Sequence, residues 1–295
     1  MQLEKKGTSA RTGFTYGLVA YFIWGFFPIY FKQLKHLDPL EVVSHRIVWS
    51  LLFLTLLIIV RGEVAVIRRV FSDRRALLYL LATSLLISTN WLVFIYAVGK
   101  GEVLQSSLGY FMTPLVNVLL GVVILRERLR PWQVVSLVFA VSGVAVQLLL
   151  VGKLPVIALV LAATFGLYGL LRKIAPVEAL SGLTVETGML ALPAFCYLLF
   201  TGYTNGGHFI GRLPQDLALL PLAGVLTAVP LILFAAAARS LRLTTIGFLQ
   251  YITPSLHFLQ AVFLYQEEFD TPHLISFCCI WCGLVIYSLD SKFSR

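Results

Sequence analysis

The sequence predicts an all-α integral membrane protein in which ten transmembrane helices form two inverted-topology five-helix repeats. Three observations carry that expectation: apolar runs long enough to cross a bilayer, cationic residues confined to alternate connecting segments, and self-similarity at a spacing of 140 residues. Of the 295 residues, 59% are apolar and 13% charged, and mean hydropathy is +0.88. That composition excludes a soluble globular domain. A net charge of +9 would suit nucleic acid, but the Lys and Arg sit mostly in short segments between apolar runs, so they read as topology signals and no nucleic-acid partner is expected.

The first span, 14–31, is long and is not followed by a small-residue cleavage site, so it is expected to stay in the chain behind a cytoplasmic segment, 1–13. Runs bounded by charge, Pro or Gly place the next spans at 40–60, 76–98, 103–125 and 132–151. Only a tight Gly99-Lys100-Gly101-Glu102 turn separates the third from the fourth. The second half carries spans at 155–171, 180–200, 217–238, 244–265 and 274–289, the first and last of them short. The repeats are therefore 14–151 and 155–290, followed by a cytoplasmic tail, 291–295. Cys196, Cys278, Cys279 and Cys282 all lie within apolar runs, so no disulfide is expected. Cys279 and Cys282 form a C-x-x-C without a second ligand pair, which favours packing over a metal site.

Charge counting tests the number of spans. With both termini cytoplasmic, 17 of the 23 Lys and Arg fall on the inside, including Arg61, Arg68, Arg69, Arg74, Arg75, Arg126, Arg128, Arg130, Arg172, Lys173, Arg239 and Arg242. The outside holds 5, namely Lys32, Lys35, Lys100, Lys153 and Arg212, and Arg46 lies within a span. An odd number of spans would scramble this separation. The repeat is independent of the charges: Thr113-Pro114 recurs as Thr253-Pro254, Glu127 as Glu267, Phe94 as Phe234, Ser136 as Ser276 and Gly143 as Gly283. At a spacing of 141, Gly25 matches Gly166 and Trp24 matches Phe165. An odd number of spans per repeat inverts the second copy.

Inverted repeats let one motif build two gates around a midplane site, which points to a carrier of small organic solutes working by alternating access. Pro114 and Pro254 interrupt the helical ladder and mark cavity-shaping or gating kinks, with Pro28 a further break. Polar residues within the spans are costly and point to a substrate path. Glu41, His45 and Arg46 lie within about one turn of each other in the second span, and Glu186 lies well inside the seventh at the position equivalent to His45. Glu186 is expected either to pair with a cation such as Arg46 or to carry a proton, with His45 as its coupling or gating partner. Around them the candidate substrate-binding set comprises Trp24, Tyr30, Asn90, Trp91, Tyr110, Asn117, Gln250, Tyr251 and His257. Aromatic faces with a few amides suit flat or weakly polar organic solutes.

Tyr21-Phe22-Ile23-Trp24-Gly25-Phe26-Phe27-Pro28, His45-Arg46-Ile47-Val48-Trp49-Ser50, Asn90-Trp91, Ser107-Leu108-Gly109-Tyr110-Phe111 and Gln250-Tyr251-Ile252-x-Pro254 together resemble the RarD subfamily of the EamA family, in the drug/metabolite transporter superfamily. The resemblance runs from about Thr12 to Asp290. It implies a ten-helix permease or exporter of the bacterial inner membrane, with a cavity between its halves and both termini cytoplasmic. Relatives in the superfamily move amino acids, nucleotide-sugars, other metabolites and drugs, so neither direction nor substrate transfers. The expected partners are a small organic solute, the lipid bilayer and protons as a coupling ion, with the protein a monomer or weak homo-oligomer and no cofactor.

A channel-like or sensor protein is the alternative, and saturation with counterflow separates it from a carrier. An embedded enzyme is disfavoured: there is no G-x-S-x-G, H-E-x-x-H or Walker-type G-x-x-x-x-G-K, and His36, His208 and His273 fall in loops.

Overall fold

The computed structural model describes residues 10–125, 130–152, 154–204, 213–241 and 249–293, and these are all-helical with irregular connections. Arg126, Glu127, Arg128, Lys153, His208, Arg212 and Arg242 lie outside the described residues. In chain order the helices are α1 (Ala10–Gly25), α2 (Phe27–Lys32), α3 (Pro39–Val60), α4 (Val64–Ser72), α5 (Arg74–Lys100) and α6 (Val103–Leu125). They continue as α7 (Pro131–Val146, then a π-helical turn Gln147–Val151), α8 (Val156–Ile174), α9 (Ala179–Thr204), α10 (Asp216–Ser240), α11 (Ile252–Leu259, then a π-helical turn Gln260–Leu264) and α12 (Thr271–Phe293). Among the described residues, 7 helical stretches are long and apolar enough to cross a membrane, and Val156–Arg172 and Ile252–Leu264 are shorter apolar helices. A helix overlaps each expected span.

Local chemistry sets several boundaries. Pro28 lacks an N–H and splits the first span into α1 and α2 at Phe26. Asp38 caps α3 by accepting from the Leu40 amide at 2.8 Å, and Asp73 caps α5 by accepting from Arg75 and Ala76. Gly101 closes α5 at φ 75°, a left-handed conformation that suits glycine, so the tight turn read from the sequence is a helix C-cap. One element was not expected: 61–75, counted as a cationic loop, contains α4. Its Val64, Ile67, Val70 and Phe71 recur at helical spacing, and Val70 is buried with Ala76, Leu80 and Val185.

The outer faces carry large exposed apolar side chains, such as Leu149 at 78% and Leu192 at 72%, as a protein solvated by lipid requires. Packing crosses between the two halves. Helix α1 lies against α10 and α11 of the second half, while α8, its counterpart, lies against α5 and α6 of the first. The close approaches pair off in the same way. A Cβ at Gly25 would meet Leu256 Cδ1 at 2.4 Å, and one at Gly166 would meet Val116 Cγ1 at 3.0 Å; Leu256 stands 140 residues after Val116. Likewise Gly143 abuts Ser276 and Ile280 of α12, and Gly283 abuts Ser136 and Phe139 of α7. Small residues at these points let the backbones approach.

Candidate functional site

The break between α1 and α2 is the first element of the site. Pro28 cannot donate to the carbonyl of Trp24, four residues earlier, and His257 Nε2 takes that acceptor at 3.1 Å. The adjacent Gly25 carbonyl accepts from Gln260 Nε2 at 2.6 Å, and Thr253 Oγ1 donates to the Tyr21 carbonyl at 2.9 Å. One face of α11 and its π-helical turn thus satisfies a run of carbonyls on α1. Because Nε2 faces a carbonyl it carries the hydrogen, which leaves Nδ1 of His257 an acceptor. His257 is 1% exposed, and its Nδ1 has no hydrogen-bond partner among the described residues.

An aromatic cluster continues from that histidine. Phe94 stacks on His257 at 5.3 Å, Tyr110 meets it at 5.9 Å, and Phe31 meets Phe94 at 6.0 Å. Trp24 lies against Tyr21 and Phe234 on the other side of the α1 break. Asn90 ties three helices together: its Nδ2 donates to the Leu161 carbonyl and Thr164 Oγ1 of α8, and its Oδ1 accepts from the Tyr110 hydroxyl of α6 at 3.1 Å.

Arg46 is buried beside this cluster, at 3% exposure. Its guanidinium lies 4.2 Å from the Trp91 ring and 5.5 Å from the rings of Phe27 and Phe31, and its Nε donates to Thr227 Oγ1 at 2.6 Å. Among the described residues, its terminal nitrogens form no hydrogen bond and no ion pair. Magnitudes matter here. A desolvated cation–π contact contributes about 2 kcal/mol at best, and rings near 6 Å contribute less. Desolvating a buried charge costs several kcal/mol. The rings alone do not offset that cost.

Glu186 stands apart from Arg46. It is 1% exposed, accepts from Thr83 Oγ1 at 2.6 Å and from the Tyr168 hydroxyl at 3.4 Å, and has Arg172 Nη1 at 3.6 Å. Its cation is therefore Arg172 and not Arg46. Arg172, counted from the sequence as an inside-loop residue, sits in the last turn of α8 and reaches back beside α9. Phe165 links the two clusters, with its ring 6.0 Å from Tyr110 and 6.3 Å from Tyr168.

Among the remaining expected site residues, Tyr30 donates to the Leu219 carbonyl of α10, which joins α2 to the second half. His45 is buried in α3 next to Arg46. Tyr251 stacks on Phe111 at 6.4 Å, in an aromatic group with Phe277 and Trp281. Asn117 is exposed, Gln250 is half-buried, and Pro28, Pro114 and Pro254 are all buried, with Ser107 donating to the Pro254 carbonyl. A separate cleft of about 370 Å³ lies between α3, α5 and α9, lined by Val43, Ile47, Leu92, Pro193 and Tyr197 among others; Arg46 is not part of it.

One end of the molecule is tied across the halves. Glu267 accepts from the Val103 and Leu104 amides at 2.8 and 2.7 Å, and so caps α6 from the second half of the chain. Lys32 Nζ lies over the Tyr265 ring at 4.9 Å and donates to the Val98 carbonyl. His36 pairs with Asp216 at the start of α10 at 3.0 Å. Outside the spans, burial raises the Glu267 carboxyl pKa above the ordinary carboxylate value, partly countered by the two amides and Lys32.

The EamA-like transporter family matches residues 11–149. Protein RarD of Escherichia coli is 41% identical over 97% of this chain and 96% of the relative. The chain belongs to the RarD group of the EamA family, within the drug/metabolite transporter superfamily. Uncharacterized transporters of Pseudomonas aeruginosa and Vibrio cholerae are 44% and 43% identical, each over 95% of this chain. A solved crystal structure shares the fold at a TM-score of 0.60 and 17% identity, covering 97% of this chain and 99% of that one. This RarD-group protein is thus a multi-pass membrane transporter, and its kinship points to transport and not to catalysis.

Sequence reading missed Thr227, Arg172, Gln260 and the capping role of Glu267. Gln260 and Thr227 are polar positions within apolar runs, a signal that was available. Arg172 offered none, since a cation at the end of a span is the ordinary topology signal.

Proposed function

We propose that the protein is a secondary carrier of small organic solutes, in which two inverted five-helix repeats rock to expose a central site alternately to each side of the bacterial inner membrane, with both termini cytoplasmic. The observation that carries this reading is the cluster of buried Arg46, Trp91, Asn90 and His257 with partly buried Tyr110, built from α3, α5, α6 and α11 of both halves. The crossed packing of α1 and α8, and the reciprocal contacts at Gly25 and Gly166, support the inverted repeat. The ties at Glu267, Lys32 and His36 act as the gate at one end, the outer end by the charge rule. Glu186, His45 and the kinks at Pro114 and Pro254 serve coupling and gating. One RarD relative in Pseudomonas aeruginosa is named chloramphenicol-sensitive.

The reading is tested by a thermal-shift screen of the purified protein against metabolites and hydrophobic drugs, followed by counterflow of each hit in proteoliposomes. A saturable hit that Trp91→Ala abolishes, and that exchanges across the bilayer, supports a carrier with this site. Hits that persist unchanged in Trp91→Ala move the site elsewhere, and flux without saturation or counterflow makes the protein a channel.

A further inference from the structure

Arg46 lies within hydrocarbon-spanning helices, and the described residues do not neutralise it. Among the described residues it touches three aromatic rings, of Trp91, Phe27 and Phe31, and one hydroxyl, of Thr227, with the neutral phenols of Tyr30 and Tyr110 in electrostatic range. We propose that the carrier's substrate class is small organic monocarboxylates with a flat apolar body, and that Arg46 is the group that fixes the carboxylate. The proposal deepens the carrier reading and rests on it.

Three features select this chemistry. With Nε engaged by Thr227, the guanidinium retains its terminal nitrogens, and a guanidinium fork matches a carboxylate in two parallel hydrogen bonds. The groups that touch Arg46 add no second cation, so a singly charged ligand neutralises it, whereas sulfate or doubly ionised phosphate would leave net charge in the membrane. The walls are aromatic faces, with Trp91 closest, and these bind a flat apolar body by stacking. A purely structural Arg46 is the competing reading, in which the rings hold the cation and no anion enters.

The experiment uses full-length protein in lipid nanodiscs and a matched probe set: benzoate, its neutral isostere benzamide, the cation benzylamine, and sulfate. Benzoate is expected to raise the unfolding temperature saturably, with benzamide weaker by about tenfold or more and neither benzylamine nor sulfate effective. Arg46→Gln is expected to bring benzoate down to the level of benzamide, and Arg46→Lys to recover it only in part. If Arg46→Gln does not fold, the wild-type series decides alone: benzamide equal to benzoate, or no saturable effect of benzoate at millimolar concentration, overturns the proposal. Equal stabilisation by sulfate overturns it as well. Counterflow of labelled benzoate separates the two readings. Binding through Arg46 without exchange keeps the anion site and removes the carrier, whereas equal exchange of benzoate and benzamide keeps the carrier and removes the anion site.

Discussion

Asn90 holds three helices at one point, and its replacement by the similarly sized Leu has a cost that can be worked out in advance. The amide makes three hydrogen bonds, to the Leu161 carbonyl, to Thr164 Oγ1 and from the Tyr110 hydroxyl, at 3.0 to 3.1 Å. Interhelical hydrogen bonds in membranes average about 0.6 kcal/mol, so three amount to about 2 kcal/mol. Asn90→Leu also removes the acceptor of the Tyr110 hydroxyl, and the Thr164 hydroxyl hydrogen is taken by the Val160 carbonyl at 2.6 Å, so the cost should exceed that figure by about 1–3 kcal/mol. Tyr110→Phe removes one of the three bonds and should cost about 0.6 kcal/mol. The two changes share that bond, so the double variant should be less destabilised than the sum of the singles. Denaturant unfolding in mixed micelles, followed by tryptophan fluorescence, measures all four proteins. A cost for Asn90→Leu below about 0.5 kcal/mol, or strict additivity with Tyr110→Phe, would refute the idea that this amide couples α5, α6 and α8.

Gly224→Ala should be more damaging than its chemistry suggests, because the new Cβ would lie 2.4 Å from the Trp49 carbonyl carbon and 2.7 Å from the Ser50 nitrogen, both backbone atoms of α3. Parting α3 from α10 should cost about 1–3 kcal/mol or more in the same unfolding assay, while Gly169→Ala, with nothing within 4 Å, should be neutral or stabilising. Glu186→Gln should cripple transport or remove its pH dependence, since it discharges the partner of Arg172; unchanged pH-dependent flux would reject proton coupling there. Glu267 gives a stability prediction with a definite sign. Its folded pKa lies above the ordinary value of 4.5, so between those two values the folded state holds a proton that the unfolded state has released, and stability falls as pH rises through that window. Thermal scans across mildly acidic pH should show that slope in the wild type and lose it in Glu267→Gln; an identical slope in both assigns it to another group.

The helices other than α4 were legible because each belongs to a run that water would not tolerate, and the turn at Gly101 because glycine stands where a left-handed residue is needed. The pairing of distant residues was less so. The repeat pointed to Gly25, Gly166, Gly143 and Gly283 as equivalent positions, but the contacts that make glycine necessary there lie between helices far apart in sequence. Arg46 was recognised as costly, yet its neighbours Phe27, Phe31 and Thr227 read as ordinary members of apolar runs. Glu186, deep in an apolar run, is expected from the sequence either to pair with a cation such as Arg46 or to carry a proton. The structure separates them, since Arg172 reaches it from the end of α8, a path that spacing along the chain cannot reveal. Glu267 stood out only as the repeat partner of Glu127. Its capping of α6 depends on helix ends meeting across the two halves.

The central claim is that two halves move as reciprocal gates around one site, and paired distances test it most directly. Spin labels at Lys100 and Gln215 report the end that holds Glu267, and labels at Ser72 and Leu241 report the opposite end, in a background in which the four native cysteines are replaced by serine. Each pair should show a short and a long population in lipid. Crosslinking cysteines placed at His36 and Asp216, which pair across the halves, should hold the first end in its short state and shift the second pair to its long one. A second pair that ignores the crosslink, or shortens along with the first, would contradict alternating access.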